Sequence, residues 1–162
     1  MSKPSTISIR EARFPADRPV ILSFIDGIQQ FENPIEPDRR VDGRVAEEYF
    51  AEILALLAKG AAFIAEEAGK PLGWGLVYRD NNEVYVVEDE RTIAYVRELY
   101  VDAGARGRGI GRMLISACED WARTQGLKVV MIGVLPGNER AQKIYRNAGF
   151  SPYALQLRKY VR

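Results

Sequence analysis

The chain has 162 residues, 47% of them hydrophobic and 28% charged, which suits one domain with a substantial core. Its 23 Lys and Arg against 22 Asp and Glu leave a net charge of +1, which argues against the strong field a nucleic-acid or anionic-membrane partner would need. With no histidine and only one cysteine, Cys118, the chain lacks Ser-His-Asp and Cys-His nucleophile systems, the commonest metal ligand and any intrachain disulfide. No apolar run approaches the ~20 residues that span a bilayer. Met1–Ser8 is polar and lacks the apolar stretch of a secretory signal. The expectation is a cytoplasmic protein forming a single domain over 1–162, without metal.

Residues Ile7 to Ala12 alternate and predict a first strand. From Ala16 to Glu32, Val20, Ile21, Phe24, Ile25, Ile28 and Phe31 recur at helical spacing until Asn33, Pro34 and Pro37 break it. A second helix is predicted from Val45 to Lys59, with Tyr49, Phe50, Ile53, Leu54 and Leu57 on one face. Strands follow at Ala61–Glu67 and Pro71–Tyr78, joined at Gly69-Lys70; Val84–Val87 extends or follows the second of these. Thr92–Val101 is a long strand, Ile110–Gln125 an amphipathic helix, and Lys128–Leu135 a β-branched strand. Asn138–Ala148 is a short helix closed by Gly149, and Tyr153–Val161 a last strand. The order predicts a mixed α/β (α+β) layered fold without the regular alternation of a doubly wound sheet.

The segment Asp102 to Gly111 carries the chemistry. A strand feeds a glycine-rich turn, Arg106–Gly107–Arg108–Gly109–Ile110–Gly111, that opens a helix. Such a turn presents backbone N–H groups, backed by the helix dipole, to an anion, and glycine lets the anion approach closely. Arg106, Arg108 and Arg112 add formal charge. The product is a diphosphate cradle, or else simply a flexible turn and a helix start. A P-loop is excluded because Ile110-Gly111 stands where Lys and a hydroxyl residue are needed. The spacing of the glycines at 104, 107, 109 and 111 does not make a dinucleotide fingerprint.

Arg106-x-x-Gly109-x-Gly111 resembles the Arg/Gln-x-x-Gly-x-Gly/Ala signature of the GNAT N-acetyltransferase superfamily. Asn138, Ala141, Tyr145, Gly149 and Phe150 fill every specified position of that superfamily's next motif. The resemblance is close over Val96–Pro152; before that, only the order of elements matches. It implies a mostly antiparallel sheet of six to seven strands flanked by about four helices. Two central strands splay apart to admit the pantetheine arm of acetyl-CoA.

By that resemblance Leu99, Tyr100 and Val101 pair with the arm. Arg106, Gly107, Arg108, Gly109, Ile110 and Gly111 hold the diphosphate. Asn138, locally a helix cap, touches the arm. Tyr145 protonates the leaving thiolate, although its i, i+3, i+4, i+7 stripe with Ala141, Ile144 and Ala148 also describes a core tyrosine.

An amine must lose a proton to attack, and Glu98, beside the thioester strand, is the candidate base. The alternative for Glu98 is a strand charge paired with Arg97 or a neighbouring strand. The acceptor pocket of such enzymes is built by the first two helices and their connection, which points to Glu32, Asp38 and Arg39, with Tyr78, Tyr85, Tyr95 and Tyr100 as aromatic walls. The acceptor is then a small-molecule, peptide or protein amine, and a homodimer through the last strands is in keeping with the resemblance. Cys118, on an apolar stripe, reads as an inert thiol, so transfer is direct. A catalytically silent acyl-CoA-binding module and an ATP-binding protein are the competing readings.

Overall fold

The computed structural model describes residues 6–161. The first five residues of the polar N-terminal stretch, and Arg162, lie outside the described residues. The elements are β1 (Ile7–Glu11), α1 (Arg18–Glu32), α2 (Val45–Leu57), β2 (Gly60–Glu67), β3 (Lys70–Asn81), α3 (Glu88–Arg91), β4 (Thr92–Val101), a 3₁₀ turn at Ala103–Ala105, α4 (Ile110–Thr124), β5 (Val130–Ile132) and α5 (Glu139–Asn147).

The sheet runs β1-β2-β3-β4-β5. The first three pairings are antiparallel hairpins or neighbours. The fourth, β4 with β5, is parallel because α4 forms the crossover between them. Helices α1 and α2 cover one face: Ile21, Phe24, Ile25, Phe50 and Ile53 pack on Ile64, Trp74 and Leu76. Helix α4 covers the other, packing Ile110, Leu114, Cys118 and Ala122 over Ala65, Leu72, Val77, Ala94 and Val96. Arg10 of β1 grips Asp17 with two nitrogens, at 2.7 and 2.9 Å, and Glu66 of β2 at 2.8 Å. That network pins the start of α1 to the sheet.

One irregularity positions everything that follows. Leu76 faces Glu98, but Val77 faces Val96, so Arg97 is an extra residue in β4. This is a β-bulge. Simple alternation would put Arg97 with Leu99. The bulge turns it instead to the α1/α2 face with Glu98, while Leu99 and Val101 keep to the α4 face. β4 pairs with β5 only through Ala94, Tyr95 and Val96, on the near side of the bulge. Beyond it the two strands part.

Among the described residues the sheet has five strands, not six or seven. Val84–Val87 forms a turn and loop, with Arg91 donating to the carbonyls of Val84 and Val86. Lys128–Leu135 shrinks to Val130–Ile132, because β4 offers a partner only up to the bulge. Tyr153–Val161 is exposed and irregular. Its alternating apolar residues fit a strand, but no strand among the described residues pairs with it. Leu54, read as part of the buried face of α2, is 49% exposed.

Candidate active site

The parted strands open a cavity of about 680 Å³. Leu99, Tyr100 and Val101 form one wall and Ile132, Gly133 and Val134 the other. One end is closed by the turn after β4 and the first residues of α4, and α5 contributes Asn138, Ala141, Ile144 and Tyr145. Ile28, Phe31 and Glu32, at the end of α1, close the side toward the α1/α2 face.

Gly107 and Gly109 adopt φ of +80° and +79°, a left-handed conformation that L side chains rarely take. A Cβ at either would meet nothing within 4 Å, so the space before the turn is open. Gly109 caps α4 without any side-chain hydrogen bond, and Met113 makes the first helical bond, to the Gly109 carbonyl at 3.1 Å. The N–H groups of Ile110, Gly111 and Arg112 therefore precede the intrahelical ladder. They point the positive end of the dipole at the cavity these residues line.

The arginines divide their labour. Arg106 lines the cavity, but its Nε donates to the Val101 carbonyl at 2.9 Å, and its guanidinium lies 4.5 Å from the Phe31 ring centre and 5.6 Å from that of Tyr100. It braces the corner between strand and turn. Arg108 is turned away to Glu67, at 2.7 and 3.0 Å, and is not among the lining residues. Arg112 is the turn's other lining cation. Asn138 accepts a hydrogen bond from the Ala141 N–H at 3.1 Å, as its cap position predicts, and it lines the cavity too.

Glu98 is 8% exposed. Burial raises its carboxyl to about 7, against opposing pulls from the Tyr49 hydrogen bond and the Arg97 charge; Glu32 adds to the rise. Its Oε1 accepts from the Tyr49 hydroxyl at 2.7 Å, and Tyr49 in turn accepts from Arg97 Nε at 2.8 Å. Tyr145 makes no hydrogen bond among the described residues, and its ring meets Phe150 edge-on at 6.1 Å. Burial, then the nearby charges of Glu32 and Glu98, hold its phenol well above the ordinary range. Glu32 and Tyr145 line the cavity where α1 and α5 converge, whereas Glu98, the sequence candidate for the base, is buried behind that wall and does not line it.

The acceptor-side candidates form one chain of ion pairs. Glu32, a lining residue, accepts from Arg39 Nε at 3.0 Å; Arg39 also bonds Asp38 at 2.5 Å; Asp38 bonds Arg158 at 2.6 Å. Asp38 and Arg39 do not line the cavity. Of the four tyrosines expected as walls, Tyr100 is one; Tyr78 and Tyr95 stack on each other at 5.8 Å, and Tyr85 is 84% exposed. Cys118 is fully buried and its thiol is pushed up to about 12 by burial, which makes it unreactive. Tyr49 escaped the sequence reading because it sits in an apolar helical stripe, forty-nine positions from Glu98, where no local pattern links the two.

Residues 25–150 match the acetyltransferase (GNAT) family model, and the chain belongs to that family. An N-acetyltransferase of Methanocaldococcus jannaschii without assigned substrate is 36% identical over 88 residues, covering 54% of this chain and 38% of that protein. The chain spans less than two fifths of the length of the first curated relatives it matches. Among solved structures, a tetramutant of the BH1408 protein of Bacillus halodurans superposes with a TM-score of 0.78 at 18% identity, over 95% of this chain and 99% of that one. A predicted acetyltransferase of Clostridium acetobutylicum solved with acetyl-CoA gives 0.73 at 18%, over 96% of each. These likenesses establish the fold.

Proposed function

We propose that this chain transfers the acetyl group of acetyl-CoA to a primary amine by direct attack in a ternary complex. The observation that carries the reading is the cavity between β4 and β5, ending at the left-handed Gly107 and Gly109 and the helix-start amides of 110–112. The residues fit the coenzyme. The turn and helix start match a diphosphate, the stretch Leu99–Val101, paired with β3 but not with β5, matches an extended amide-bearing arm, and Asn138 stands beside it. A structural relative with acetyl-CoA bound supports the same assignment. Arg106 contributes by fixing the corner and Arg112 by its charge. Arg108 serves the turn from outside through Glu67.

Bound there, acetyl-CoA supplies a thioester carbonyl carbon as the electrophile. Glu98, whose carboxyl burial raises to about 7, takes the amine proton through a water, since it lies behind the cavity wall. Tyr145, held protonated and without an internal partner, donates its proton to the sulfur as the C–S bond breaks and the C–N bond forms. A backbone N–H on the free edge of β4 polarises the carbonyl. Glu32 attracts the cationic amine, with Arg39 and Asp38 holding it in place. We also propose that the whole chain acts as one domain in the cytoplasm. Its exposed Tyr153, Leu155 and Leu157, at strand spacing, support a homodimer.

The test is thiol release from acetyl-CoA across a panel of amines, with products read by mass. Acetylated amine formed at a rate that falls at least ~10²-fold in Tyr145→Phe supports the reading. Tight coenzyme A binding with no product from any amine would instead identify a silent binding module.

A further inference from the structure

We infer that Tyr49 is a positioning residue for the base: its hydroxyl is clamped between Arg97 and Glu98, so that one carboxylate oxygen is held and the other is left to take the proton. This rests on the reading of Glu98 as the base. The geometry follows from the bulge. An unbulged β4 would send Arg97 and Glu98 to opposite faces. The extra residue sends both toward α2, where Tyr49 waits one turn from the helix start. Arg97 Nε donates to the Tyr49 oxygen at 2.8 Å, and the Tyr49 hydroxyl donates to Glu98 Oε1 at 2.7 Å.

The direction of this chain is fixed by donor chemistry. A guanidinium has no acceptor, so Tyr49 must accept from Arg97 and its single proton must point at Glu98. A phenol that accepts from a cation is a stronger donor, and it stabilises the ionised carboxylate. Arg97 also stacks on the Tyr49 ring, 5.8 Å from its centre, which fixes the ring as well as the hydroxyl. The charged and titratable groups around Glu98 are Tyr49 from α2, Arg97 from β4, Glu32 from α1 and Tyr145 from α5. Glu32 and burial disfavour the carboxylate; Tyr49 and Arg97 favour it. Tyr49 thus lowers the pH at which this buried carboxyl ionises.

Tyr49→Phe removes one oxygen and keeps the ring, so packing on α2 is preserved. The experiment is a carbon-detected NMR titration of the side-chain carboxyls of the whole chain. The Glu98 signal is assigned by its loss in Glu98→Gln. Wild type is expected to titrate near 7, and Tyr49→Phe about one pH unit or more higher. The acid limb of kcat/KM should move up by the same amount, with the high-pH plateau retained within a few-fold. An unmoved Glu98 midpoint, or a loss of rate equal at every pH, overturns the inference. If Glu98→Gln keeps wild-type turnover, the base assignment itself fails, and the NMR shift still decides what Tyr49 does.

Discussion

Burial lifts both Glu98 and Tyr145, yet it fits them for opposite work. A carboxyl raised to about 7 suits the proposed base, while a raised phenol suits the proposed acid. Glu98 also carries a stability signature. The folded chain holds this proton more tightly than the unfolded one, about 7 against 4.5, so stability falls as pH rises through that interval and the loss is complete above it. Glu98→Gln should therefore raise the melting temperature more at pH 8 than at pH 5. The ceiling is on the order of 3 kcal/mol. Scanning calorimetry at the two pH values checks this, and an equal shift at both would show that the carboxylate is not strained by burial. Tyr145→Phe should cut kcat by ~10²-fold or more with coenzyme A affinity unchanged, as single-turnover kinetics and calorimetry would report.

At the scale of elements, α1 approaches β4 closely because Gly27 faces the phenol of Tyr100. A Cβ there would stand 2.5 Å from the Tyr100 oxygen. Gly27→Ala should displace that ring, which also packs on Phe24 at 5.7 Å, and cost about 1–3 kcal/mol in urea unfolding. Gly109→Val acts differently. It meets open space but must adopt φ +79°, so it should destabilise by about 1–2 kcal/mol and weaken coenzyme A binding at least tenfold, since the side chain enters the cradle. Calorimetric titration reads the second effect.

These elements also show what could be read before the structure. The bounds of β4 and the start of α4 came out of the pattern directly, because an alternating run, a glycine turn and an amphipathic stripe abut there. So did the turn, while Tyr145 was singled out only by the family resemblance. A bulge in this strand was implied only by the family resemblance, and its place at Arg97 could not be read, since alternation describes side chains and not the register of a partner strand. For the same reason Tyr153–Val161 read as a strand: its apolar spacing is real, but pairing depends on an available edge. Asp38 and Arg39 lie between α1 and α2 but do not line the cavity; their charges satisfy one another and Arg158, which no linear pattern reveals.

Across the whole molecule, the cavity belongs to no single element. α1, β4, the glycine turn, α4, β5 and α5 each supply a wall, and the parting of β4 from β5 gives them a common space. The segment beyond α5 leaves Leu155 and Leu157 exposed by 78% and 84%, a pattern suited to pairing with a second chain. Sedimentation equilibrium at micromolar concentration should give twice the chain mass, and Leu155→Asp with Leu157→Asp should return it to the monomer. A wild-type monomer would remove the dimer from the account.

The central claim is that the amides of 107–112 hold the diphosphate of coenzyme A at the mouth of the gap between β4 and β5. A crystal structure of the complex tests it most directly. The account predicts diphosphate oxygens about 3 Å from those backbone nitrogens, with the arm running beside Leu99–Val101. Coenzyme A bound elsewhere, or β4 and β5 hydrogen-bonded to each other past Val96 in the complex, would contradict it.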